Sequence, residues 1–112
     1  MEVKGYDLYH SEMRKVVVSD RDVYEAMQGA LQRIVDLIKG ALERTPPELA
    51  SDVVERGITL TGGGCLLRGL DRLVARETRL PVRMVSDPIS VTVRGAGVMS
   101  EQPHLLQELA LQ

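Results

Sequence analysis

Val23, Met27, Ala30, Leu31, Ile34, Val35, Ile38, Ala41 and Leu42 return every three or four places, with Arg21, Glu25, Gln32, Asp36 and Glu43 on the opposite side. That repeat predicts a helix with one inward face over Asp20 to Arg44. Ser19 supplies an N-cap with an acid three residues on, Asp22, and Asp20 adds negative charge where the helix dipole favours it. Gly29 and Gly40 interrupt the stripe at about 1 kcal/mol each relative to alanine. They fall on nearly one face, so either a neighbouring backbone packs closely there or both are tolerated surface glycines.

Thr45-Pro46-Pro47 ends this helix, because proline pushes the residue before it out of the α region and cannot donate to the preceding turn. Pro47 then suits the first turn of a short helix to Glu55 with Leu49, Val53 and Val54 turned inward. Gly57 closes it. Ile58 to Thr61 is a short β-branched run, which suits a buried strand in a sheet covered on both faces.

Ahead of the long helix, Val3 to Leu8 and Met13 to Val18 are β-rich runs joined by Tyr9-His10-Ser11-Glu12. They predict a hairpin, which is marginal in water without further sheet. His10 at its tip has no catalytic constellation around it and reads as an exposed loop residue.

After the glycines, Leu66, Leu67, Leu70, Leu73 and Val74 predict a helix to Thr78 with Arg68, Asp71, Arg72, Arg76 and Glu77 outward. This outer face is a solvated surface by default and an arginine-rich partner surface otherwise. Pro81 to Val85 holds a second strand, parallel to the first if the intervening helix is the crossover. Asp87-Pro88 would cap and open a helix bearing Ile89, Val93, Ala96 and Gly97. Its Gly95-Ala96-Gly97 flank is smooth enough for close approach of sheet or ligand. Gln102-Pro103 breaks the chain again before a last helix, His104 to Leu111, with Leu105, Leu106 and Leu109 on one side. The layering is α/β.

Between the first strand and its helix stands Thr61-Gly62-Gly63-Gly64-Cys65-Leu66. Three adjacent glycines fit a place where backbone must turn sharply or approach something closely. If they open a helix, its amides and dipole would face phosphate or a nucleotide edge. The spacing is neither the Gly-x-Gly-x-x-Gly fingerprint nor a P-loop, so a plain strand-to-helix turn and a ligand loop both stand.

Composition narrows the classes. The 112 residues make one modest domain or part of one, with no Phe or Trp and three Tyr, so the core must be Leu, Val, Ile and Met. Fourteen basic against sixteen acidic residues give a net charge of −2 with the signs interspersed, which excludes an electrostatic footprint for nucleic acid. One cysteine, Cys65, fits a reducing cytoplasm. No apolar run nears the ~20 residues of a membrane span, and the first residues carry neither a signal nor an amphipathic membrane segment. The expectation is a soluble, cytoplasmic chain.

Thr45-Pro46-Pro47-Glu48-Leu49, Asp52, Arg56-Gly57-Ile58, Leu60 to Gly64, Leu66 to Asp71 and Glu77-Thr78 together resemble the C-terminal part of the MreB family of bacterial actin-like proteins. The resemblance covers essentially the whole chain. It implies a partial actin-like ATPase (ribonuclease H-like) subdomain: residues 1–18 as a β-hairpin from the end of subdomain IIB, 19–101 as the α/β unit of IIA, and 102–112 as the return to IA. In that family a Thr-Gly-Gly-Gly loop touches adenosine, which carries the role onto Gly62, Gly63, Gly64, Cys65 and Leu66. Cys65 stands where the family usually has a small residue and reads first as a packing substitution.

The resemblance further implies a parent that binds ATP with Mg, polymerises with copies of itself at the inner face of the membrane, and meets a RodZ-like membrane anchor. The family's Asp-x-Gly-Thr phosphate hairpin, its second glycine-rich hairpin and its water-positioning polar residue are not in this sequence. The chain matches roughly the last third of such a protein, and is expected neither to hydrolyse ATP nor to bind it tightly alone. A standalone adaptor or filament regulator working without nucleotide, and a different actin-like filament ATPase, are the alternatives.

Overall fold

A computed structural model describes residues 1–110. By contacts the chain divides into two compact units, Met1–Ile38 and the remainder from Lys39.

The first unit opens with a hairpin of β1 (Glu2–Asp7) and β2 (Glu12–Val17), antiparallel with Asp7 opposite Glu12 at the tip. Both strands sit one residue earlier than the apolar pattern predicts. The cause is Asp7: its carboxylate accepts from the amides of Tyr9 (2.9 Å) and His10 (3.1 Å), closing the turn at residues 8–11. Its pKa is lowered, first by the hydrogen bond from the His10 side chain. His10 is exposed as expected, held by that 2.8 Å contact.

Helix α1 (Asp20–Glu43) begins at a reciprocal cap. The Asp22 amide donates to Ser19 Oγ at 3.2 Å, and the Ser19 amide and hydroxyl donate to the Asp22 carboxylate at 2.8 and 2.6 Å. Val35 is its one buried residue. A Cβ at Gly29 would meet nothing within 4 Å, and one at Gly40 only the Arg44 side chain, so neither glycine serves close backbone packing.

In the second unit, Pro47 opens α2 (Pro47–Arg56). Val53 is half-buried, but Leu49 and Val54 are 54% and 64% exposed, against the expectation that all three turn inward. The helix stops at Gly57, whose φ of +75° turns the chain so that its amide bonds back to Val53 O at 2.8 Å. The next amide, Ile58, bonds to Pro81 O at 2.8 Å and starts β3 (Ile58–Leu60).

β3 runs parallel to β4 (Val82–Met84) with Ile58 opposite Val82, as the two-strand pattern predicts. Arg83 Nε adds a cross-strand bond to Thr59 Oγ1 at 2.9 Å. Ile58 and Leu60 are half-buried and Thr59 exposed, the alternation of a strand covered on one side rather than both. Between the strands, α3 (Leu70–Thr78) packs on β4 and buries Leu70 and Val74. Lys39 reaches Glu77 on α3 at 3.0 Å, which lowers the Glu77 pKa.

Helix α4 (Val91–Glu101) starts three residues later than an N-cap at Asp87 would have it, with Ser90 at the cap position instead, and Ile89 and Val93 are exposed. Gly95 and Gly97 have open space around them, so the smooth flank is bare rather than pressed on the sheet. Gln102 leaves helical geometry and Pro103 begins α5 (Pro103–Ala110), which packs on α4. The expected helix end at Leu111 lies outside the described residues, as does the side chain of Leu109.

Candidate functional site

The glycine run follows β3 directly. Thr61 Oγ1 and the Gly62 amide both donate to Pro88 O, at 3.2 and 2.7 Å, just beyond the point where Val85 N bonds Leu60 O at 3.3 Å. The loop is thus moored to the segment that follows β4. Gly62 has φ +82°, a region that side chains with a Cβ visit at a cost. Gly63 and Gly64 do not need positive φ.

From Gly63 to Leu66 the chain makes a single 3₁₀ turn, in which the Cys65 amide bonds Gly62 O at 3.2 Å. Leu67 is extended and Gly69 is left-handed (φ +84°), so α3 starts only at Leu70. This corrects the expectation of a helix opened by the glycines. Two backbone breaks separate the loop from α3, and the loop does not sit on that helix's dipole.

The five candidate residues divide by exposure. A Cβ at Gly62, Gly63 or Gly64 would meet nothing within 4 Å, so the run presents bare backbone. Leu66 is 52% exposed beside it, an apolar edge. Cys65 is 7% exposed and free, turned into the core with Leu70 and Val74, as a packing residue would be. Backbone without side chains next to an exposed leucine is what a flat, partly apolar ring can lie against.

Sequence reasoning missed the polar cluster behind the mooring point. The Asp87 carboxylate accepts from the Ser90 amide at 3.4 Å and from the Ser90 hydroxyl and the Arg94 guanidinium, and Arg94 Nε also donates to Ser90 Oγ at 3.3 Å. These donors hold the Asp87 pKa below its usual value, the Ser90 hydroxyl contributing most and Arg94 next. The signal was an Asp-Pro pair with serine three residues and arginine seven residues after the aspartate. Among the described residues, no group of His, Cys, Asp and Glu is placed to hold a metal ion, and no helix is long and apolar enough to cross a membrane.

A family model described as MreB/Mbl protein matches residues 1–108. The cell shape-determining protein Mbl of Bacillus cereus is 39% identical over 112 residues, covering 100% of this chain and 34% of the relative. The cell shape-determining protein MreB of Escherichia coli K12 is 46% identical over 97 residues, covering 87% of this chain and 28% of the relative. The chain therefore spans about a third of the length of the curated relatives it matches. Among solved structures, MreB5 of Spiroplasma citri bound to AMPPNP superposes with a TM-score of 0.85 at 29% identity, over 98% of this chain and 33% of that one. The same protein bound to ADP gives 0.86 at 30% identity, over 96% and 33%.

Proposed function

The chain belongs to the MreB/Mbl family and carries part of its actin-like α/β fold, and on that premise we propose that it supplies the adenosine-contacting loop of a bacterial cell-shape protein that binds ATP and polymerises. Gly62, Gly63, Gly64, Cys65 and Leu66 form that loop. The three glycines offer backbone to the adenine face, Leu66 packs against its edge, and the buried Cys65 holds the turn from beneath. The observation that carries this reading is the bare glycine run fixed at the end of β3, where an added Cβ would project into open space rather than into the protein. Relatives whose solved structures hold AMPPNP and ADP support it.

In the same proposal residues 1–18 belong to subdomain IIB, 19–101 to IIA and 102–112 to the return toward IA. Magnesium and the phosphates are held by groups other than these, since the loop brings no charged side chain among its five residues. By itself the 112-residue chain neither hydrolyses ATP nor binds it tightly. The full-length protein assembles with copies of itself at the inner face of the membrane and reaches it through a RodZ-like anchor.

Photolabelling with 8-azido-ATP and Mg²⁺ tests the site. Peptide mapping of the full-length protein should place adenine-directed label within residues 61–68. Label found only elsewhere would remove the role from this loop. Titration calorimetry on the 112-residue chain is the companion measurement, and affinity near micromolar, about −8 kcal/mol, would refute weak binding by the chain alone.

A further inference from the structure

We propose that Asp87, Ser90 and Arg94 are positioning residues for the glycine loop, acting through the Pro88 carbonyl and so setting how firmly the loop holds a nucleotide. This rests on the reading above. The Pro88 carbonyl takes two hydrogen bonds from the loop's entry, from the Gly62 amide and the Thr61 hydroxyl, which uses both of its lone pairs. β3–β4 pairing stops one step earlier, so these two bonds fix where the glycines begin. The placement of that carbonyl depends on the turn from Asp87 to Ser90. Proline fixes one backbone angle within the turn, and the Asp87 carboxylate closes it by gathering the Ser90 amide, the Ser90 hydroxyl and Arg94.

Arg94 projects from the first turn of α4, so its pairing with Asp87 adds a side-chain tie to the backbone bonds, Val91 N to Asp87 O at 3.2 Å and Arg94 N to Ser90 O at 3.0 Å, that join the turn to the helix. Charge-assisted bonds of this kind are about twice as strong as neutral ones. Arg94 and Asp87 are both exposed to a large degree and bury little apolar surface. Removing them loosens the mooring without opening the core. Gly62 is the pivot through which the looseness is felt, because it joins the Pro88 bond to the 3₁₀ turn through its own carbonyl.

The test uses the full-length protein and two readouts. Amide hydrogen exchange at Gly62 without nucleotide reports the mooring directly, and titration with a fluorescent ATP analogue and Mg²⁺ reports the consequence. Ser90→Ala and Arg94→Met should each quicken Gly62 exchange about tenfold and weaken nucleotide binding by a similar factor. Ser90→Thr, which keeps the hydroxyl, should restore both. Unchanged Gly62 exchange in both variants overturns the proposal. So does quickened exchange with unchanged nucleotide affinity. If the wild-type protein binds no nucleotide, the adenosine reading fails separately, and the exchange result with its threonine rescue decides the positioning role by itself.

Discussion

Gly57 precedes β3 directly and Gly63 follows it after Thr61 and Gly62, and the surroundings of the two glycines are opposite. A Cβ at Gly57 would lie 2.1 Å from the Pro81 carbonyl oxygen, and its φ of +75° is strained for any other residue. The fold itself demands glycine there. At Gly63 the backbone has no positive φ and a Cβ would find nothing within 4 Å. The fold of this chain leaves that position free, and in the proposed function a ligand is the reason for its bareness. A glycine the protein needs and a glycine the protein merely permits look identical in the sequence, and only the surrounding atoms separate them.

The sharpest way to break this contrast is Gly57→Ala. Overpacking against backbone together with positive-φ strain should cost about 3 kcal/mol of unfolding free energy, read by denaturant titration. A loss below about 1 kcal/mol would mean that the Pro81 contact yields easily and that the two glycines are alike.

Gly63→Val is the counterpart. In the full-length protein its melting temperature without nucleotide should stay near wild type, while the stabilisation by ATP, about 2.7 kcal/mol at a hundredfold excess over Kd, disappears. A variant that keeps its ATP-induced rise would leave Gly63 as a plain turn residue.

Arg79 completes the set, because it caps α3 in left-handed geometry (φ +56°) where glycine would be at ease. Arg79→Gly should stabilise by about 0.5 kcal/mol, the relief of strain exceeding the added flexibility of the unfolded chain. A net loss in thermal unfolding would show that Arg79 holds something its geometry does not reveal.

The smallest expected effect concerns the loop's mooring. Asp87 has a folded pKa below its ordinary 3.8, so the stability it contributes is present above that value and is lost as pH falls through the folded pKa. Wild type should exceed Asp87→Asn in stability at neutral pH, and the gap should close on acidification. A gap that stays constant down to acid pH would mean that the ion pair contributes nothing.

The contrast also shows what the sequence can carry. Ser19 with Asp22, and Thr45 with its two prolines, are local signals, and they bracketed α1 to within a residue. The two short strands were legible because β-branched runs flanking an amphipathic segment have few other ways to pair. What escaped depended on atoms distant in the chain. Leu49 and Val54 fit a helical stripe, yet whether a stripe is covered is decided by what lies opposite. The expected helix at the glycines failed because Leu67 and Gly69 break the backbone twice, a choice that leucines at helical spacing do not reveal. Pro88 resembled a first-turn proline, whereas its carbonyl turned out to anchor a loop 27 residues away.

The parallel pairing of Ile58 with Val82 sets an order of events in time. The β1–β2 hairpin closes through neighbours in the chain and can form within microseconds. β3 cannot find β4 until the segment between them has shortened, and α3 is what shortens it. Strand pairing should therefore wait on that helix, and a substitution that weakens α3 should slow folding more than one that weakens α5. The glycine loop, hung from the end of β3, should then take shape only once these two strands have met.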